Sequence, residues 1–252
     1  MHSDNFILPC EAVEPVLVAD DTMADELSAR AGLYALLGRC LEAEVDAPLL
    51  DLLRGPLAET FAEMGIDLGE DVRSSDPAAV IAALAEEYAG LFVVPGAVLP
   101  FRSAVETGRL FQPQADLASA AYKQAGFTFH NVNSGEFPDH VAVMLAFVSR
   151  LFERESAARR AGESAEAAEW CQRRVHFLVH QLGSWSIGWS RRARKCARHP
   201  FYTAILNLFE QVVWTDVADV ADDKTLKRLV SSNRRPLQRQ KIDPEFRKAS
   251  GL

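Results

Sequence analysis

Apolar residues recur along this chain at the spacing of a helix surface almost throughout. Near the start, Leu27, Tyr34, Leu37 and Leu41 follow one another at intervals of seven, three and four residues, which places them on one face of an α-helix. No segment of apolar–polar alternation is flanked by hairpin signals, so no strand is predicted. The pattern therefore predicts an all-α protein that folds as a single globular helical bundle.

Local signals indicate where the helices begin. Thr22 and Asp25 resemble a capping box in which Asp replaces the usual Glu or Gln. An acid, a proline or both mark three more starts: Asp46 with Pro48, Asp76 with Pro77, and Pro138. The other predicted elements are a break at Gly55 and Pro56, an apolar loop over 93–113, a short helix over 114–124, a long helical stretch over 164–195 with a kink near Gly183 or Gly188, and a last substantial helix from His199 and Pro200.

The chain divides into three parts by composition. Residues 1–21 are predicted to form an N-terminal extension and residues 22–221 the helical domain, with a hinge near 159–164 where Gly162 interrupts the pattern. Residues 222–252 are rich in Lys, Arg, Ser and Gln, so we expect a basic, flexible tail.

Composition narrows the class of protein. No apolar run approaches the roughly 20 residues that a membrane helix needs, so stable membrane insertion is not expected. The first 21 residues carry acids but no Lys or Arg, whereas a secretory signal needs a basic start. We therefore expect a cytoplasmic protein. Its four cysteines are scattered without a Cys-x-x-Cys pair, which indicates reduced thiols rather than disulfides.

The net charge of −8 hides an asymmetry between the two halves. Residues 1–149 hold 23 acids and 7 bases, whereas residues 150–252 hold 12 acids and 20 bases. An acidic half could attract a basic partner and speed its association. Alternatively, the two halves neutralise each other across the fold.

The candidate chemistry centres on a proline, an acid and a histidine before the apolar run 141–147. Pro138 fits the first position of a helix, and Asp139 in the first turn is favoured by the helix dipole. His140 is not explained in this way, since a helix N-terminus disfavours a charged imidazole. A neutral His140 could bind a guest peptide, fix the preceding loop or act as a general base, although no nucleophile lies nearby in the sequence.

The loop that follows the helix over 77–92 is unusually apolar. It contains Val93, Val94, Pro95, Val98, Leu99, Pro100 and Phe101. Exposed apolar clusters in loops tend to mark partner sites, whereas the same residues folded inward would plug the core. Arg102 and Ser103 could add polar contacts to a bound partner.

Other chemistries find little support. His176 and His180 share a helix face, but no third zinc ligand accompanies them, so no metal or other cofactor is expected. The basic run over 191–195 could contact nucleic acid, but the chain is acidic overall and carries no recognition motif, so nucleic acid is not an expected partner. Phosphate-binding, dinucleotide and nucleophile-elbow motifs are also missing, and no enzyme is predicted.

Several of these motifs, in order and spacing, resemble the TorD/DmsD/NarJ family of chaperones that bind molybdoenzyme precursors. The family pattern is matched by Tyr88, Leu91 and Phe92, then by Pro100, Phe101 and Ser103, and finally by Glu136, Pro138, Asp139 and His140. The similarity extends over roughly residues 25–215. Val105 departs from the pattern, because relatives often carry an aromatic residue after the serine.

The resemblance implies an all-helical cytoplasmic chaperone of the TorD-like type. Such a protein binds the precursor of a molybdopterin oxidoreductase catalytic subunit, through its twin-arginine signal peptide or another segment, until the cofactor is inserted. The ten matched residues would form the peptide-binding site, with Tyr88, Leu91, Phe92 and Phe101 lining an apolar groove. A monomer is expected, although the hinge makes a domain-swapped dimer conceivable. Two alternatives stay open: a helical adaptor that binds a folded partner through the loop 93–103, and a helical enzyme that uses Asp139 and His140.

Overall fold

The computed structural model describes residues 17–110, 112–130 and 137–236, and every regular element in these ranges is a helix. The elements are α1 (Leu17–Glu42), α2 (Ala47–Arg54), α3 (Ala58–Glu63), α4 (Glu70–Ser74), α5 (Pro77–Phe92), α6 (Arg102–Thr107), α7 (Pro113–Gln124), α8 (Val141–Arg160), α9 (Ser164–Phe177), a π turn (Leu178–Leu182), α10 (Ser186–Cys196), α11 (Pro200–Ala218) and α12 (Asp223–Asn233). The predicted all-α class is confirmed.

The centre of the fold is an antiparallel pair of long helices, α1 and α8. Hydroxyl groups on α8 tie the two together, since Ser149 donates to the Ala31 carbonyl at 2.8 Å and Ser156 to the Ala24 carbonyl at 2.7 Å. Farther along, Gly38 lets the backbones approach closely, because a Cβ there would stand 3.4 Å from the carbonyl oxygen of Ala142. Small and hydroxyl side chains therefore set the spacing of this pair.

A buried ion pair joins α8 to α9. The Arg174 side chain donates to the Glu155 carboxylate at 2.7 Å, and both side chains are almost inaccessible to solvent. The Arg174 guanidinium also lies 4.4 Å from the centre of the Phe152 ring. Because a buried charge without its partner costs several kcal/mol, this pair fixes how α9 folds back on α8.

The start signals that combine an acid with a proline are confirmed for two helices. The Asp46 carboxylate accepts from the Leu49 N–H at the start of α2, and the Asp76 carboxylate from the Ala79 N–H at the start of α5. The predicted start at Thr22 is wrong, since α1 already begins at Leu17. A capping box inside a continuous helix looks the same in sequence as one at its end.

Two other boundaries also differ from the prediction. The loop predicted over 93–113 contains α6, a helix too short to show a clear periodicity. The helix predicted from Pro138 begins three residues later, at Val141, and Pro138 lies in the turn before it. Proline suits a tight turn as well as a first helical turn, so the residue type alone does not separate the two.

The predicted kink near Gly183 is confirmed as a break between the π turn and α10. The expectation of a flexible tail from Asp222 is wrong for α12, which packs its Asn233 side chain against this break. Asn233 accepts from the Gly188 N–H and donates to the Gly183 carbonyl. The sequence did not predict α12 because its composition is polar and only Leu229 and Asn233 in it are buried.

The turn between α8 and α9 coincides with the predicted hinge. It is tight, with Gly162 at a φ of 73°, a conformation that glycine adopts without steric cost. Whether it acts as a hinge stays a prediction, as does the predicted division of the chain into three parts. Within the described ranges, no helix combines the length and the hydropathy that crossing a bilayer requires.

Candidate functional site

The structure joins the two segments that the sequence singled out, 100–103 and 137–141. Arg102 donates its N–H to the Asp139 carbonyl at 3.1 Å, and Val141 donates its N–H to the Pro100 carbonyl at 2.8 Å. Phe101 and His140 thus form an antiparallel bridge, and their rings meet edge to face with centres 4.9 Å apart. We call these two segments the junction.

Asp139 holds the junction from inside. Its side chain is buried, and one carboxylate oxygen accepts the N–H of Ser103 at 2.8 Å. The expected place of Asp139 in the first turn of α8 is therefore wrong. Asp139 lies two residues before the start of α8, and its carboxylate binds a free N–H in the first turn of α6 instead.

His140 is the N-cap of α8. Its ring Nδ1 accepts from the Ala142 N–H at 3.2 Å, so Nδ1 carries no proton, as expected for an imidazole at the positive end of a helix dipole. The side chain is only 4% exposed. The structure shows contacts by which His140 fixes the local chain, and its predicted role in peptide binding stays a prediction.

Tyr88, Leu91 and Phe92 lie in the core and do not line an open groove. Each is at most 6% exposed, and the Tyr88 hydroxyl donates to the Glu42 carbonyl at 2.9 Å. Phe92 packs against the Trp189 ring with centres 5.8 Å apart. The apolar groove expected from these three residues and Phe101 is therefore closed.

The loop after α5 has a buried part and an exposed part, and its predicted role as a partner site stays a prediction. Val98 is buried, and its carbonyl accepts the indole N–H of Trp189 at 3.0 Å, so this part of the loop plugs the core. Val93 and Val94, by contrast, are 61% and 44% exposed. The remaining predicted site residues divide similarly: Pro100 and Ser103 are buried, Pro138 is partly exposed, and Glu136 lies outside the described residues.

An open groove lies beside the junction, between α1, α8 and the segment 127–130. It encloses about 460 Å3, within the range of ligand-binding clefts. Small residues form its floor and aromatic rings its walls. We define this α1–α8 groove by Ala35, Gly38, Ala142, Val143, Ala146, Tyr122, Phe127, Phe129 and Phe147.

Both charge signs line the rim of the α1–α8 groove. Arg39 and Glu42 stand on the α1 side, and Arg150 and Glu153 on the α8 side. Arg39 pairs with Asp46 at 2.5 Å, and Arg150 with Glu153 at 2.6 Å. These pairs are substantially exposed, and such pairs contribute about 0–1 kcal/mol, so an incoming charged segment can replace them at little cost.

Tyr122 connects the groove to the junction. Its ring lines the groove, while its hydroxyl donates to the Pro138 carbonyl at 2.6 Å. Burial, and to a lesser degree the nearby Asp139 carboxylate, raises the pKa of Tyr122 well above its usual value. The hydroxyl therefore stays protonated and available as a donor.

Sequence reasoning did not find the α1–α8 groove. Ala35 and Gly38 are three residues apart on α1, and Ala142 and Ala146 are four apart on α8, so small side chains share a face on each helix. That spacing was the available signal. Nothing in the sequence, however, paired α1 with α8.

Metal binding finds no support in the described ranges, where no three His, Cys, Asp or Glu side chains converge. His176 and His180 stack with ring centres 4.8 Å apart. Burial, followed by the charges of His176 and Arg228, lowers the pKa of His180.

A comparison with protein families identifies the chain. The sequence model of the nitrate reductase delta subunit family matches residues 46–189, more than half of the chain. The chain therefore belongs to this family, whose members are chaperones of molybdoenzyme maturation rather than enzymes. The resemblance to the TorD/DmsD/NarJ chaperones is confirmed, and the alternative of an enzyme that uses Asp139 and His140 is not supported.

Proposed function

We propose that this member of the nitrate reductase delta subunit family is a cytoplasmic chaperone that binds the twin-arginine signal segment of a molybdopterin oxidoreductase catalytic subunit precursor in the α1–α8 groove. It holds the precursor until the cofactor has been inserted and prevents premature export. The observation that carries the proposal is the open, aromatic-walled groove with a charged rim beside the predicted peptide site.

The chemistry of the groove fits a basic segment followed by an apolar one. Burial of about 400 Å2 of apolar surface against the aromatic walls contributes roughly 10 kcal/mol before the cost of ordering the peptide. That cost removes a large part of the gain, so pairing of charges at the rim has to add to apolar burial for the affinity to approach micromolar, about 8 kcal/mol. Arginines of the segment can pair with Glu42 and Glu153 at the rim.

The predicted site residues then contribute mainly through the shape of the groove. The Pro138 carbonyl holds the Tyr122 ring in the wall, and His140 fixes the first turn of α8, from which Ala142 and Val143 enter the floor. Direct contact between the peptide and Phe101 or Asp139 requires the junction to open.

The test is calorimetric titration with synthetic twin-arginine signal peptides of molybdopterin enzymes, compared with scrambled peptides and peptides in which Lys-Lys replaces Arg-Arg. Ala146→Leu fills the groove from an exposed helix position and should weaken binding at least tenfold. Ala83→Leu makes the same change at an exposed position of α5 and should leave affinity unchanged. Added salt should weaken binding modestly. Equal affinity for scrambled peptides would contradict the proposal.

A second contact, with the folded part of the client, is favoured by the exposed valines after α5. Two adjacent apolar side chains, Val93 and Val94, project from a turn fixed by hydrogen bonds to Ala89 and Leu91. Val93→Ser with Val94→Ser should reduce co-purification of the catalytic subunit without changing the affinity for its signal peptide. A loss of peptide affinity instead would assign the valines to the peptide site.

A further inference from the structure

The chain carries, ahead of α1, an apolar stretch with the features that the α1–α8 groove accepts. Phe6, Ile7 and Leu8 are consecutive and are followed by Pro9. A residue before proline is disfavoured in the helical region and tends to be extended. This stretch lies outside the described residues.

We propose that Phe6, Ile7 and Leu8 of the same chain occupy the α1–α8 groove when no client is bound, and that the client's signal segment displaces them. The inference rests on the proposed function and adds its regulation. The groove would then be open to unrelated apolar peptides only in a minor fraction of the molecules.

The chain ahead of α1 is long enough for Phe6 and Leu8 to reach the groove. Along α1, Gly38 lies 21 residues beyond Leu17, or about 32 Å at 1.5 Å per residue. Phe6 precedes Leu17 by 11 residues, which span about 36 Å when extended. Leu8 can likewise reach about 30 Å from Leu17 when the chain is extended, and Ala35 lies about 27 Å from Leu17 along α1. A chain that turns back at Leu17 therefore brings both apolar side chains to the groove.

The charges around the groove also fit this occupant. Asp4 precedes the apolar stretch and Glu11 follows it, whereas the rim of the groove offers Arg39 and Arg150 on opposite sides. The client's arginines would use the carboxylates of the same rim. A rim of both signs can thus bind an acid-flanked segment of its own chain and a base-flanked segment of the client in turn.

Occupation by its own segment lowers the apparent affinity for a client in proportion to the fraction of open groove. If the groove is closed in nine molecules out of ten, the apparent dissociation constant rises about tenfold. Replacing both Phe6 and Leu8 by Ser in the full chain should therefore strengthen signal-peptide binding by up to about this factor. Unchanged affinity in this variant counts against the proposal.

Cys10 provides a direct test without any client. In the full chain with Cys171→Ser and Cys196→Ser, a disulfide between Cys10 and an introduced Arg150→Cys, formed on addition of oxidised glutathione, reports the segment in the groove. Cys10 precedes Leu17 by seven residues, or about 23 Å when extended, which matches the level of Ala31, whose carbonyl binds Ser149 beside position 150. The control is Ala168→Cys, an exposed position near the start of α9. It lies near the end of α8 that pairs with Asp25 of α1, so it is closer to Leu17 than the groove is.

The proposal expects the disulfide with position 150 to form at least tenfold faster than the disulfide with position 168. It also expects Phe6→Ser with Leu8→Ser to abolish the difference. Equal rates for the two positions overturn it. If the preferred disulfide forms but excess signal peptide does not slow it, the segment occupies the groove and the client site proposed above is wrong. If the peptide binds the groove while the two rates are equal, only the present inference fails.

Discussion

Removing the Asp139 carboxylate separates a structural role of this residue from a peptide-contacting one. In Asp139→Ala the Ser103 N–H, which now donates at 2.8 Å to a buried carboxylate, loses its partner inside the protein. A hydrogen bond to a charged group contributes about 1.5–3 kcal/mol, and an unpaired buried donor carries a comparable penalty. Removal of a buried negative charge offsets part of this loss. We therefore expect the free energy of unfolding to fall by about 2 kcal/mol.

Asp139→Asn is the matched control, because an amide oxygen can still accept from Ser103 at nearly the same volume. It should lose about 1 kcal/mol or less. Guanidinium unfolding followed by circular dichroism measures both variants. For a chain of this length, a loss of 2 kcal/mol also lowers the thermal midpoint by about 4–8 °C.

The same variants decide whether Asp139 contacts the client. If its role is to hold the junction, folded Asp139→Ala should bind the signal peptide within about threefold of the parent protein, since the carboxylate is only 1% exposed. Parental stability together with lost binding would refute this reasoning. That outcome would assign Asp139 to the peptide contact that the resemblance implied.

Three further predictions concern other parts of the fold. Gly188→Ala should lower the free energy of unfolding by about 2 kcal/mol in chemical denaturation, because the added Cβ would overlap the Asn233 carbonyl. Helix propensity alone would favour Ala by about 1 kcal/mol, so a more stable variant would contradict the observed docking of α12. Burial raises the pKa of the Cys40 thiol to about 12, so mass-resolved alkylation of the native protein should label exposed Cys196 at least tenfold faster than Cys40. Burial, together with the nearby basic groups, lowers the pKa of His180 from its usual 6.5. Below about pH 6.5 the unfolded chain therefore binds more protons than the folded protein, so stability falls as the pH drops. In thermal melts between about pH 7.5 and 5.5, His180→Asn should make this fall in stability smaller.

The sequence predicted helices well where a local signal is unambiguous. Asp46 and Asp76 each cap a helix whose first turn contains a proline, and the structure has both starts where the pattern placed them. Pro138 misled the prediction, because proline serves a turn and a first helical turn equally well. The cap is instead His140, a residue type outside the usual N-cap preferences.

The candidate site was predictable in its parts but not in its geometry. The resemblance implied that segments 100–103 and 137–141 belong to one site, and the structure brings them together. For the first segment the sequence left open whether it is exposed or folded inward, because burial depends on which helices cover it. The α1–α8 groove is a stronger case, since Gly38 and Ala146 acquire a common surface only when two helices about a hundred residues apart in sequence pair with each other.

That pairing has a consequence for the birth of the protein on the ribosome. The hydroxyl of Ser156 binds a carbonyl 132 residues earlier, at Ala24. At about 5–20 residues per second, α1 waits roughly 6–25 s for the helix that covers its apolar face. During that interval the apolar face of α1 is exposed on the nascent chain, as in the unfolded segments that general chaperones bind. During the first part of its synthesis, this chaperone is therefore itself a potential client of general chaperones.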